Sequence, residues 1–205
     1  MLINNKLNHS IHDHFPLSDQ KGKDAPIINK QAAQLLSRKK SPLKLAELVK
    51  ITTDHHEFLR HGGSGGTWKT ILLRGLVLGI YDGPDIKQGK QASFEHREFD
   101  AVLDFSDLAL PFSNWCGVIA ENLVAKNIEL SHALLTDTYL VNANLYQARL
   151  CNVDFSRADL QGADFREADC AGADFENCDL RGADFRGARL VGAKFPGARL
   201  DEVKY

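Results

Sequence analysis

The C-terminal half of this chain is predicted to be a solenoid, with a short α-helical segment ahead of it. Three observations predict this. Every fifth residue from Leu130 to Leu200 is Leu or Phe, Cys170 excepted. From Ala143 to Ala198 the residue two places earlier is Ala, except at Val153 and Cys178. The first 100 residues lack this period and carry helix start and stop signals instead. The run Ala158-Asp159-Leu160-Gln161-Gly162-Ala163-Asp164-Phe165-Arg166-Glu167 shows the unit: Ala, Asp, Leu or Phe, then two free positions. A 3.6-residue helix and a two-residue strand alternation both fail to give a strict period of five. Short repeats bury their apolar side only by stacking unit on unit.

Taken in order, residues 1–26 are polar, rich in His, Asn, Asp and Lys, and are expected to be a disordered or loosely attached tail. Residues 27–70 read as a helical segment. Ile28 to Lys40 forms a first helix with a basic end, Arg38-Lys39-Lys40. A second starts with Ser41 as N-cap and Pro42 at the first helical position. Its apolar side is Leu45, Leu48, Val49, Thr52 and later Leu59, and Gly62-Gly63 stops it. This segment is expected to cap the open first turn, because an uncovered strand edge invites aggregation. Residues 71–102 read as irregular strands, Ile71–Tyr81 and Ser93–Phe99, leading into that turn. Phe94 and Phe99 are one residue out of phase with Phe105, so a bulge or loop is expected near Val102. Residues 103–205 are the solenoid.

On these residues the chain resembles the pentapeptide-repeat family, whose motif is A(D/N)LXX, over Leu103 to Leu200. The resemblance implies an all-β solenoid: a right-handed, quadrilateral β-helix with four pentads per turn and about five turns. The central Leu or Phe and the small residue two before it would point inward. Residues twenty apart would stack at roughly 4.8 Å. One column is Trp115, Leu135, Phe155, Phe175 and Phe195; the facing one is Phe105, Ala125, Leu145, Phe165 and Phe185. The implied structural core is Leu145, Leu150, Phe155, Leu160, Phe165, Phe175, Leu180, Phe185, Leu190, Phe195 and Leu200. Each should contribute about 1.5–3 kcal/mol, and a larger residue at an interior Ala should overpack by about 1–3 kcal/mol.

The position before each central residue carries charge. Asp154, Asp159, Asp164, Asp169, Asp174, Asp179 and Asp184 hold it in seven successive pentads, and Arg189, Lys194 and Arg199 follow. The twenty-residue stacking would place Asp169, Asp174 and Asp179 over these three cations. The aspartates are either turn-compatible, solubilising residues or a partner-binding acidic face. The chain carries net charge −2. Residues 100–205, with 17 acidic and 10 basic residues, carry −7; the remaining 15 basic and 10 acidic residues leave +5 on residues 1–99. Cys170 and Cys178 fall on interior repeat positions, and Cys116 and Cys151 fall outward. With neither a CxxC pair nor a metal-ligand spacing, a reduced cytoplasmic setting is expected. The N-terminus lacks the apolar core of a signal peptide. The run Ile71–Ile80 is too short to span a membrane.

Two segments invite a chemical reading. Gly62-Gly63-Ser64-Gly65-Gly66-Thr67-Trp68-Lys69-Thr70 looks like a phosphate-binding loop, but Trp68 stands where that pattern requires Gly, and the order of elements is wrong. The glycines read better as a helix stop. His9, His12 and His14 lack a rigid frame for a metal, and His55-His56 read as surface histidines. No catalytic residue, cofactor or metal is expected. The leading function is a non-enzymatic protein-interaction scaffold, without direct nucleic-acid or membrane binding. The resemblance implies an alternative, because the family includes acidic DNA mimics that bind and protect type II topoisomerases (gyrase). A secreted bacterial effector, with the polar N-terminus as export signal, is a second alternative. An enzyme in residues 41–99, using Lys69, His55 or His56, is the weakest. Family grounds also suggest a homodimer through the C-terminal end, where Phe195, Pro196, Leu200, Val203 and Tyr205 supply an apolar patch.

Overall fold

The computed structural model describes residues 42–63, 66–73, 76–83, 89–99 and 103–205. The polar tail, the Ile28–Lys40 helix and Ser41 lie outside these residues.

From Asp104 onward, single-residue parallel bridges recur every five positions, and each joins a residue to the one twenty further on. The bridges form four ladders. One runs Asp104, Val124, Asn144, Asp164, Asp184, Lys204; the next runs Ala109, Glu129, Arg149, Asp169, Arg189. The third runs Asn114, Leu134, Asp154, Asp174, Lys194, and the fourth Ile119, Tyr139, Asp159, Asp179, Arg199. The chain is a solenoid whose coil is twenty residues. The bridges are made by paired backbone hydrogen bonds, as where the Phe155 N–H donates to Asp174 O at 2.8 Å and the Asp174 N–H to Val153 O at 2.8 Å, with a single bond, from Phe105 N–H to Val124 O, at the first of them.

Between bridges the backbone turns, and the second turn residue adopts positive φ once per pentad. Asn142, Asn152, Arg157 and Asn177 stand there at φ +56° to +63°, and Gly162, Gly172, Gly182 and Gly192 at +66° to +73°. This left-handed region suits Gly and Asn, which explains their recurrence at one of the two free positions.

The interior is packed along columns. Leu145, Leu150, Phe155, Leu160, Phe165, Phe175, Leu180 and Phe185 are all buried. Phe155 stacks on Phe175 at 5.1 Å between ring centroids, and Phe175 on Phe195 at 5.0 Å. Phe165 stacks on Phe185 at 4.6 Å, and the two columns meet edge to face, as in Phe165–Phe175 at 90°. Both geometries are favoured by the ring quadrupole. Leu190 and Phe195 are only half-buried, and Leu200 is 39% exposed. These three core positions differ from expectation, and they lie in the last described coil, over which no further coil stacks among the described residues.

The ladders start before residue 103. Ser93 bridges Asn114 and Glu98 bridges Ile119, each twenty-one residues on instead of twenty. The extra residue falls between Phe99 and Asp104, around the expected position of the register shift. Phe94, Phe99, Phe105 and Trp115 form an aromatic cluster at this end, with centroids 4.6–5.9 Å apart.

Helix α1 spans Leu45–Arg60. It begins three residues after Pro42, because Leu43 is drawn into the ladder: it bridges Phe99, donates its N–H to Glu98 O at 3.2 Å and is buried. Leu48, His55 and Phe58 are the buried residues of α1, whereas Leu45 and Val49 are exposed. The buried stripe is thus rotated from the expected one, His55 and Phe58 joining Leu48 in place of Leu45 and Val49. Leu43 and Leu48 join the same apolar cluster as Phe94, Phe99 and Phe105, so α1 covers the first coil.

In place of one strand, residues 67–82 form a hairpin: β1, Thr67–Leu73, pairs antiparallel with β2, Leu76–Asp82. Trp68 of β1 donates its indole N–H to His132 O at 3.1 Å. Tyr81 of β2 contacts Phe58 and Phe112, and Phe112 stacks on His132 at 4.9 Å. The hairpin therefore rests against both α1 and the flank of the solenoid.

Candidate functional site

The aspartate at each bridge position has a structural task. Its Oδ1 accepts the backbone N–H two residues on and so staples the turn that follows. Asp154 takes Ser156 N–H at 2.9 Å, Asp164 takes Arg166 at 3.0 Å, Asp174 takes Glu176 at 3.0 Å and Asp184 takes Arg186 at 3.1 Å. Asp159, Asp169 and Asp179 do the same for Gln161, Ala171 and Arg181. Asn114 and Asn144 make the equivalent bond. Asp and Asn suit this bond because their short side chains place an oxygen at this distance, the Asx turn, and Glu129 makes it to the Ser131 N–H with a longer side chain.

The seven aspartates do not form one face. A five-residue step moves to the next ladder, so they are dealt over all four. None is exposed, and Asp159 and Asp179 are buried. Five carry a cation. Arg166 clamps Asp164 and Arg186 clamps Asp184 within their own turns, each from two nitrogens. Arg189 lies on Asp169 at 3.0 Å, Lys194 on Asp174 at 3.6 Å, and both Arg181 and Arg199 on Asp179 at 2.7 and 3.1 Å. The Arg186 bond holds the Asp184 carboxyl down at about 2. Asp159, hydrogen-bonded by Gln161, is pushed upward by its burial.

What the solenoid presents outward is the pair of turn positions after each central residue. At a twenty-residue step these form columns. Lys126, Tyr146, Arg166 and Arg186 share one, with Gln147, Glu167 and Gly187 beside it. Tyr146, Arg166, Glu167, Arg186 and Gly187 line an open groove of about 430 Å³. The Arg166 guanidinium lies 5.6 Å from the Tyr146 ring centroid, a cation–π distance. Gln147 bonds Glu167 at 2.7 Å, and a hydrogen bond to Glu167 holds the Tyr146 phenol above its usual range. Tyr and Arg are the side chains that most often anchor protein interfaces.

A family model for pentapeptide repeats matches residues 128–167 and 168–204, with eight copies. Residues 128–204 belong to the pentapeptide-repeat family. Several solved pentapeptide-repeat structures are similar to the chain. HetL, involved in heterocyst differentiation regulation in the cyanobacterium Nostoc sp. strain PCC 7120, is 27% identical with a TM-score of 0.32; the match covers 55% of this chain and 54% of that one. QnrB1, a plasmid-mediated fluoroquinolone resistance protein, is 21% identical with a TM-score of 0.38, over 54% and 55%. Rfr23 of the cyanobacterium Cyanothece 51142 is 27% identical with a TM-score of 0.24, over 48% and 64%. The chain thus spans about half to two thirds of the length of these structures. No curated protein matches.

Ahead of the pentapeptide repeats, the residues singled out for chemistry are placed as follows. Lys69, on β1, pairs with Asp82 across the hairpin at 2.5 Å. His56 is exposed, but His55 is buried, contrary to a surface reading. The Ala92 N–H donates to His55 Nδ1 at 3.0 Å, so Nε2 carries the proton and donates to Pro111 O at 2.9 Å. Burial lowers its pKa to about 4. His55 is a neutral strut between α1 and the solenoid. Cys116 is also buried, although its repeat position faces outward, and burial pushes its thiol up to about 12. Glu95 and His96 lie against it. Sequence spacing concealed this trio, because its members are twenty and twenty-one residues apart and meet only when coils stack. No helix among the described residues is long and apolar enough to cross a membrane.

Proposed function

We propose that the protein is a non-enzymatic interaction scaffold and that a protein partner docks on the column Lys126, Tyr146, Arg166 and Arg186. The observation that carries this is the division of labour within each pentad. The small and central residues fill the interior, and the aspartate staples the turn. The two turn positions are what remains for a partner, and on this column they form a groove with Tyr and Arg at its wall. The four ladders and their twenty-residue step support the right-handed, quadrilateral helix of about five turns that the family resemblance implies. A DNA-mimic role needs a continuous acidic surface, and seven half-buried or buried aspartates on four ladders, five of them paired with cations, favour the scaffold over it.

The test is affinity capture with the full chain as bait, beside a Tyr146→Ala/Arg186→Glu variant whose thermal unfolding matches wild type. A partner captured by the wild type and lost by the variant is the expected result. A partner retained by the variant removes the column as the docking surface. Exposed Val191, Leu200 and Tyr205 on the last coil support self-association there as a separate property. Sedimentation of wild type and Leu200→Asp checks it, and a concentration-independent monomer in both would refute it.

A further inference from the structure

We propose that Glu95, His96 and Cys116 form a binding site for one divalent transition-metal ion, zinc in the first place. The three side chains each offer a ligand atom, and these atoms lie within 4.8 Å of one another. Around tetrahedral zinc, with bonds of about 2.0–2.3 Å, donor atoms sit about 3.5 Å apart. The trio therefore needs to close by about 1 Å, which side-chain rotation supplies without moving the coils.

The surroundings fit a metal centre. Glu95 and Cys116 are each oriented from behind. The Gly79 N–H of β2 donates to Glu95 Oε1 at 3.0 Å. The Thr136 hydroxyl, one coil on, donates to Cys116 Sγ at 3.4 Å. Asn114 Oδ1 accepts the Cys116 N–H at 3.0 Å and fixes its turn. The His96 ring lies over Gly117, where a Cβ would collide with Nδ1; the turn there, at φ +67°, is also one that glycine adopts freely. Such outer partners set ligand direction and basicity in known metal centres.

The charges also balance. When an ion binds, the Cys116 S–H bond breaks, its proton leaves to solvent, and the thiolate coordinates. Glu95 carboxylate and Cys116 thiolate bring −2, which a divalent ion cancels, while His96 binds as neutral imidazole. The other charges that act on Cys116, Asp137 and Arg157, are closed on each other by two bonds of 2.8 and 2.6 Å and sum to zero. A mixed sulfur, nitrogen and oxygen set selects zinc-like ions over calcium and magnesium, which take oxygen alone. Three protein ligands leave the fourth position to water. The ion would tie the first coil, through Glu95 and His96, to the second, through Cys116, with β2 held on by the Gly79 bond.

The experiment is a titration of chelator-treated full chain with Co²⁺, displaced afterwards by Zn²⁺. It is made with His9, His12 and His14 changed to alanine, so that the N-terminal histidines contribute nothing. The expected result is one equivalent bound with a Kd of about 1 µM or tighter, a thiolate-to-cobalt charge-transfer band, and release of one thiol proton. Zinc at a hundredfold excess over its Kd should raise the unfolding midpoint by about 5–10 °C. Cys116→Ser should abolish the band and weaken binding at least 100-fold, and Thr136→Val should weaken it about tenfold. Cys151→Ser should change neither. Absence of the band in wild type, or a band that survives Cys116→Ser and disappears in Cys151→Ser, overturns the proposal. Unfolding curves of the metal-free variants separate lost ligation from lost structure.

Discussion

Asp174 illustrates how the residue scale decides what the acidic pattern means. Its carboxylate accepts the Glu176 N–H, and among the described residues its cation is Lys194, reached at 3.6 Å. Asparagine supplies the same acceptor without the charge. Asp174→Asn should therefore change stability by under about 0.5 kcal/mol, the ion pair being worth little. Asp174→Ala, which orphans the turn N–H, should cost about 1 kcal/mol. Urea unfolding of the pair reads the difference directly. Gly182 makes a second test. A Cβ there meets nothing within 4 Å, so only its φ of +71° resists substitution. Gly182→Ala should cost about 1 kcal/mol, and Gly182→Asn less, as in the neighbouring coils that already use Asn. His55 makes the third. Its folded pKa of about 4 lies below the ordinary 6.5, so the unfolded chain takes up a proton that the folded chain refuses. The stability contributed by neutral His55 is complete above pH 6.5 and is lost as pH falls to about 4, by about 3 kcal/mol in all. Denaturant midpoints measured from pH 7.5 to 4 should fall in wild type, and a flat profile across that window would remove the strut.

At the scale of elements, α1 shows what sequence pattern conveys and what it omits. A helix ending near Gly62 was legible from its stop signal, and that it covers the first coil follows from the need to close a solenoid end. Its start and buried face were not legible. Ser41-Pro42 is a strong start signal, yet Leu43 gains more by extending the ladder against Phe99. The apolar choices Leu45 and Val49 point to water, while the buried contacts go to Leu48, His55 and Phe58. Polar His55 is buried because the Ala92 N–H and Pro111 O await it, partners that lie 37 and 56 residues away in sequence. The energetic consequence is measurable. Leu48→Ala or Phe58→Ala should cost about 2–5 kcal/mol, and Leu45→Ala under about 0.5 kcal/mol. Equal losses at Leu45 and Leu48 would place α1 the other way round.

For the whole molecule, the repeat made the solenoid readable because interior and turn constraints recur in every pentad. The columns Phe155–Phe175–Phe195 and Phe165–Phe185 were readable for the same reason, since a period fixes which residues stack. The candidate site was less readable. A row of seven aspartates in sequence suggests a face, but four ladders per coil scatter it. The groove at Tyr146, Arg166 and Arg186 emerges only when free positions twenty apart are brought together. The metal trio at Glu95, His96 and Cys116 sits where the register shifts by one residue, a place that no period describes. The solenoid thus uses its aspartates within the turns and carries the aromatic and cationic side chains of one column along an open groove.

The most direct measurement is affinity capture with Asp154, Asp169 and Asp174 all changed to Asn, in a full chain shown by circular dichroism and thermal unfolding to keep its fold. Three negative charges then disappear while every turn keeps its acceptor, and Asp164 and Asp184, which hold Arg166 and Arg186, stay in place. The expected result is an unchanged set of partners. A folded variant that loses them would contradict the account and make the acidic residues the functional surface.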